Sequence, residues 1–209
     1  MIEKFGHPIA YCISEGYLPG LDLESRKAAI VGRARVAAEC GISLFQIREK
    51  DLEAEEIFQI TQRAVEASLG TGLKILVNDR TDIAIAAGAA GVHLPSNGVS
   101  VNAVRSISPS GLIVAVSTHS VEDVIAARNG GADLVVFGPV FSSPGKGAQT
   151  GLARLAEVCA AVRPFPVVAL GGIDGANYKS VLRAGACGYA SIRYLNSVID
   201  EHRLARGGA

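Results

Sequence analysis

The hydrophobic pattern of this 209-residue chain predicts an α/β fold, a single (β/α)8 barrel of the TIM type. Three observations carry that expectation. Short β-branched runs alternate with longer amphipathic stretches rich in Ala, Glu and Arg. The runs are nearly all apolar, which suits parallel strands covered on both faces. Four units also share a phrase in which glycine after a helix introduces a strand: Cys40-Gly41-Ile42-Ser43-Leu44, Gly88-Ala89-Ala90-Gly91-Val92, Gly130-Gly131-Ala132-Asp133-Leu134 and Gly185-Ala186-Cys187-Gly188-Tyr189. Glycine is favoured just past a helix end, so each phrase reads as a helix stop feeding a strand. Eight such units at roughly 26 residues each fit a small barrel, with an open doubly wound sheet as the alternative. No linker or low-complexity segment divides residues 1–209, which therefore read as one domain.

In a barrel of this kind, function sits at the C-terminal strand ends, so the polar residues directly after each apolar run are the candidates. The first strand, Ile9 to Ser14, feeds a helix from Arg26 to Cys40. The second, Leu44 to Arg48, leads into Gln46-Ile47-Arg48-Glu49-Lys50. Strand alternation puts Gln46, Arg48 and Lys50 on one face. Cations on an inner face cost desolvation unless an anion compensates them, so they read as a phosphate or diphosphate clamp. The alternative is a rim salt bridge with Glu49 or Asp51. A helix from Ala54 to Ser68 follows. The third strand, Lys74 to Asn78, ends in Asn78-Asp79-Arg80. There the choice lies between a helix N-cap and, for Asp79, a magnesium ligand, because hard cations take carboxylate and phosphate oxygens together.

The fourth strand, Gly91 to Leu94, carries His93, which reads as a core histidine satisfied by a backbone carbonyl. The fifth, Leu112 to Ser117, gives Ser117-Thr118-His119-Ser120 ahead of a helix from Val121 to Asn129. Ser120, with Asp123 three residues on, reads as that helix's N-cap, which leaves Ser117 free and makes His119 a candidate acid or base. After the sixth strand, Leu134 to Gly138, comes Ser142-Ser143-Pro144-Gly145-Lys146-Gly147. This is either a lid whose lysine closes on a phosphate or an ordinary solvated loop, and it lacks the spacing of a nucleotide P-loop. A helix from Leu152 to Val162 precedes the seventh strand, Val167 to Leu170. That strand ends in Gly171-Gly172, and the eighth, Gly188 to Ile192, ends at Ile192-Arg193 after a helix from Ala176 to Ala184. Phosphate sites in barrels are commonly built from these two loops and a helix N-terminus.

Composition narrows the function classes. Lys plus Arg and Asp plus Glu number 20 each, so no global field draws the chain to nucleic acid or anionic lipid. A 49% hydrophobic chain is not intrinsically disordered. Cys12, Cys40, Cys159 and Cys187 form no zinc-type spacing and read as reduced thiols. Met1 to His7 has no apolar signal core, and Ile83 to Leu94 is far shorter than the roughly 20 residues a membrane span needs. A soluble cytoplasmic protein is expected, with phosphorylated small molecules as partners and no nucleic acid or membrane; a homo-oligomer is compatible with the sequence.

Taken in order, Gln46-Ile47-Arg48-Glu49-Lys50, Asn78-Asp79-Arg80, Gly91-Val92-His93-Leu94, Val116-Ser117-Thr118-His119, Gly138-Pro139-Val140-Phe141 with Lys146, and Val168-Ala169-Leu170-Gly171-Gly172-Ile173 form a set. From about Tyr11 to Leu195 the chain resembles the thiamin phosphate synthases and their sister group, the TenI-like thiazole tautomerases. The resemblance implies coupling of hydroxymethylpyrimidine diphosphate to a thiazole phosphate, with magnesium and release of pyrophosphate. It also implies that Gln46, Arg48, Lys50 and Asn78 hold the pyrimidine diphosphate and that Asp79 binds Mg2+. Ser117 and Lys146 would stabilise the leaving pyrophosphate, with Ser143 where the family usually has threonine. Gly171, Gly172, Ile192 and Arg193 would take the thiazole phosphate. Three positions depart from the synthase pattern. Pro95-Ser96-Asn97-Gly98 stands where the second magnesium aspartate is expected and looks more like the tautomerase group, in which His119 would shuttle a proton. The lysine loop lacks its threonines, and Arg193 replaces a small residue. A noncatalytic binder of thiazole phosphate or thiamin phosphate is a third reading.

Overall fold

The computed structural model describes residues 7–16, 20–143 and 148–207. Eight parallel strands close into a barrel in sequence order: β1 (Ile9–Ile13), β2 (Leu44–Ile47), β3 (Lys74–Asn78), β4 (Gly91–Leu94), β5 (Ile113–Thr118), β6 (Leu134–Phe137), β7 (Val167–Leu170) and β8 (Gly188–Ser191). Each is followed by a helix: α1 (Leu23–Glu39), α2 (Ala54–Ala67), α3 (Thr81–Ala86), α4 (Val101–Ile107), α5 (Val121–Asn129), α6 (Gly151–Val162), α7 (Tyr178–Arg183) and α8 (Arg193–Ala205). The expected barrel is thus the observed one, and every strand lies within one residue of its expected bounds.

The short strands are buried on both faces, as their apolar composition requires. One set of alternate residues, including Tyr11, Leu44, Leu76, Ile113, Val136 and Val168, fills the interior. The other set, including Phe45, Val77, Val92, Val114 and Phe137, packs against the helices. Pairing of Ile9 with Gly188 and Tyr11 with Ala190 closes the cylinder. A Cβ at Gly188 would overlap the Ile9 carbonyl oxygen, so this seam admits only glycine at its first register position. Towards the C-terminal strand ends, the inward positions change character: Gln46, Asn78, His93 and Ser117 replace the aliphatic side chains. That change positions the site.

All four cysteines are free thiols, and Cys12, Cys159 and Cys187 are buried. Among the described residues, no helix is long and apolar enough to cross a membrane.

Candidate active site

A cavity of about 1470 Å³ opens at the C-terminal strand ends. Gln46, Arg48, Lys50, Asn78, Asp79, Ser117, His119, Ser143, Gly171, Gly172, Ile192 and Arg193 all line it. The geometry therefore brings together every expected site residue except Lys146, which lies outside the described residues along with Pro144, Gly145 and Gly147.

The wall after β2 differs from the expected strand face. β2 stops at Ile47, so Lys50 stands exposed in a turn beyond the strand, while Gln46 is buried within it. Gln46 Nε2 donates to Asn78 Oδ1 at 2.9 Å, and Gln46 Oε1 is buried without a partner among the described residues. Glu49 and Asp51 make no ion pair with Arg48 or Lys50 among the described residues. The Arg26 guanidinium of α1 takes both, donating to Glu49 Oε2 at 2.7 Å and to the two Asp51 oxygens at 2.6 and 2.7 Å. These bonds, chiefly the one from Asp51, raise the Arg26 pKa further above its ordinary value. Ser14 joins the network: its hydroxyl donates to Glu49 Oε1 at 2.6 Å and accepts from the Arg48 N–H at 2.8 Å. The backbone of Arg48 is thus braced from below. Its guanidinium and the Lys50 ammonium make no ion pair among the described residues.

The loop after β3 is not a capping motif. α3 has Arg80 at its N-cap and no side-chain cap hydrogen bond, and Asn78 turns to Gln46 instead. Asp79 has φ +62°, the only positive φ of a non-glycine residue among those described, a conformation that Asp tolerates better than most. Its N–H donates to the His93 carbonyl at 2.8 Å, while its carboxylate accepts no hydrogen bond among the described residues. Neighbouring Arg80 is engaged with Asp82 through Nε at 2.9 Å. No group of three or more His, Cys, Asp or Glu able to hold a metal occurs among the described residues. One carboxylate without a hydrogen bond among the described residues, on a cavity also lined by Arg48 and Lys50, fits Mg2+ held partly by substrate phosphate and water, the usual mode for that ion, and does not fit an all-protein cage.

On the opposite wall, Ser120 caps α5 as expected: its Oγ accepts from the Asp123 N–H and Asp123 Oδ2 accepts from the Ser120 N–H, both at 3.0 Å. His119 Nδ1 lies 2.6 Å from the Gly138 carbonyl oxygen. A carbonyl only accepts, so Nδ1 carries the proton and Nε2 is left to the cavity side. His93 departs from expectation, since its partners are hydroxyls and not a backbone carbonyl. Nδ1 meets Tyr11 Oη at 3.0 Å and Nε2 meets Ser117 Oγ at 2.8 Å. Burial, with a smaller push from Arg48, lowers its pKa to about 4, so the ring is neutral at physiological pH. Tyr11 was not among the sequence candidates. The available signal was a tyrosine at an inward strand position between Ile9 and Ile13, where its hydroxyl must find a partner.

Gly171 and Gly172 adopt φ +104° and +61°. A Cβ at Gly171 would lie 2.6 Å from Pro139, and one at Gly172 would lie 2.5 Å from the Ser142 carbonyl oxygen. Glycine is therefore required first by the close passage of the segment after β6. Asn177 Nδ2 fixes the Gly172 carbonyl at 2.8 Å. Beside them, α8 starts at Arg193 with Ile192 at its N-cap and no cap side-chain bond from it, though Ser191 Oγ accepts from the Tyr194 N–H. A helix N-terminus opening on glycine turns suits an anion.

A family model described as thiamine monophosphate synthase matches residues 20–195. A thiamine-phosphate synthase of Methanoculleus marisnigri is 41% identical over 171 residues, covering 80% of this chain and 79% of its own. One from Anaeromyxobacter dehalogenans is 39% identical over 178 residues, covering 84% and 79%. Among solved structures, thiamine phosphate pyrophosphorylase from Pyrococcus furiosus superposes with a TM-score of 0.79 at 28% identity, covering 97% of this chain and 96% of that one. With a matching model over most of its length and such relatives, the chain belongs to the thiamine monophosphate synthase family.

Proposed function

We propose that the protein is a thiamin phosphate synthase, joining hydroxymethylpyrimidine diphosphate to a thiazole phosphate and releasing pyrophosphate. The observation that carries this reading is the diversion of Glu49 and Asp51 onto Arg26, which leaves Arg48 and Lys50 without an ion pair among the described residues, on the same cavity as Asp79, whose carboxylate accepts no hydrogen bond among them. Cations held apart from their neighbouring carboxylates suit a diphosphate.

Arg48, Lys50 and Asn78 would hold the diphosphate end of the substrate. The orphaned Gln46 Oε1 calls for an N–H donor, which an aminopyrimidine supplies. In a dissociative step, the bond from the pyrimidine methylene to diphosphate oxygen breaks and negative charge grows on the departing group. Ser117, Arg48 and Lys146 would stabilise that charge. The thiazole nitrogen then captures the methylene cation, with the thiazole phosphate held by Gly171, Gly172, Ile192 and Arg193. Asp79 would hold Mg2+, which when bound neutralises diphosphate charge. Ser143 would close the same rim.

A second reading, thiazole tautomerase, is favoured by His119, whose Nε2 is left as a base by the Gly138 contact. Assay of the purified protein with each substrate set, with and without EDTA, separates the two. For the synthase, pyrophosphate is released only with magnesium, Asp79→Asn cuts turnover steeply, and His119→Ala matters less. EDTA-resistant isomerisation crippled about 10²–10⁴-fold by His119→Ala would establish the tautomerase. A thiamin phosphate melting shift without turnover would indicate the binder.

A further inference from the structure

Tyr11, His93 and Ser117 form a chain of hydrogen bonds running from the barrel core to the cavity wall. Tyr11 is fully buried among aliphatic side chains of the interior, and its hydroxyl has no other partner among the described residues. A buried O–H that fails to donate is costly, whereas a lone pair left over on the same oxygen is tolerated. A neutral imidazole has one N–H and one lone pair. Only one arrangement satisfies both ends. The Tyr11 O–H donates to Nδ1, and the Nε2–H donates to Ser117 Oγ. The reverse tautomer would strand the Tyr11 proton and spend the Ser117 proton on Nε2.

We infer that Tyr11 and His93 are positioning residues that set Ser117 as a hydrogen-bond donor to an anionic oxygen in the cavity. With one of its lone pairs accepting the Nε2–H, Ser117 has its own proton left for the cavity side. The identity of the oxygen, on the departing diphosphate, rests on the proposed synthase reading; the direction of the chain does not.

The test begins with nitrogen NMR on the 15N-histidine-labelled protein, in which protonated and unprotonated ring nitrogens resonate apart. Nε2 of His93 should be the protonated one, and a protonated Nδ1 overturns the inference. Pyrophosphate affinity, measured by calorimetry, should fall about tenfold in Tyr11→Phe and in His93→Leu, while His93→Gln, whose amide can still donate to Ser117, should stay within about threefold of wild type. Equal losses in the Gln and Leu variants also overturn it. On the full substrate set, Tyr11→Phe should lower kcat with KM little changed. A wild type that binds pyrophosphate and shows the expected tautomer but makes no thiamin phosphate refutes the synthase reading and leaves the donor assignment standing.

Discussion

Removing the Arg26 guanidinium tests the foundation of the proposed clamp. The Glu49 side chain is 1% exposed and Asp51 is 49% exposed, so the two partners should respond differently. In Arg26→Met, Asp51 turns to water, and its half-exposed pairing is worth at most ~1 kcal/mol. Glu49 has no such exit and keeps only the Ser14 hydroxyl. Deleting one partner of a buried pair costs about 3–5 kcal/mol because the other charge is left uncompensated. Replacing Glu49 as well, in Arg26→Met/Glu49→Leu, removes that charge and should recover about 2 kcal/mol or more. Arg26 Nε is itself buried without a partner among the described residues, which favours the apolar pair further. Urea unfolding followed by both fluorescence and circular dichroism measures each variant. A loss under about 1 kcal/mol in Arg26→Met, or a double variant less stable than the single, would refute the reasoning. The double variant should also bind pyrophosphate more weakly, since Ser14 loses the acceptor that orients it beneath the Arg48 N–H.

Arg48→Ala should weaken pyrophosphate binding by about 1.5–3 kcal/mol, the worth of hydrogen bonds to a charged group, and calorimetry showing unchanged affinity would make Arg48 a solvated rim residue. Gly188→Ala places a methyl group against the Ile9 carbonyl at the closing seam, so its melting temperature should drop by the equivalent of about 3 kcal/mol, the upper end of overpacking costs. The His93 pKa of about 4 in the fold lies below the ~6.5 of an unfolded histidine, so the unfolded chain binds the extra proton between those values. Stability should therefore be level above pH ~6.5 and fall by about 3 kcal/mol as pH drops towards 4. Urea midpoints of His93→Gln across that window should show a shallower decline; parallel curves would mean the ring is not buried as neutral.

The barrel was legible because burial on both faces leaves a direct trace in composition: runs such as Leu134 to Phe137 contain nothing polar. The rim was legible for a related reason. Once strands are placed, the polar residues that end them must face the mouth, and Asn78 and Ser117 do. What stayed hidden depends on distant partners. Tyr11 and His93 are 82 positions apart, and nothing local in either segment announces the other. Arg26 reads as an ordinary helix residue until α1 packs near the turn after β2 and takes the two carboxylates that flank Lys50 in the sequence. The helices α3 and α4, six and seven residues long, show too few turns for periodicity to mark them.

The seam between β1 and β8 also governs how the molecule can be made. Until Gly188–Ser191 leaves the ribosome, β1 has a neighbour on one side only, and its other edge presents unpaired backbone groups. Strands added one after another extend an open, curling sheet that cannot yet bury both faces at its first edge. The last pairing is then reinforced from outside the cylinder, where Asn196 of α8 donates to the Ile13 carbonyl and Arg33 of α1 reaches Asn196 and Asp200. Nascent chains halted before this point carry an adhesive edge. Protection of β1 amides from exchange should therefore arrive late in synthesis, together with the final helix.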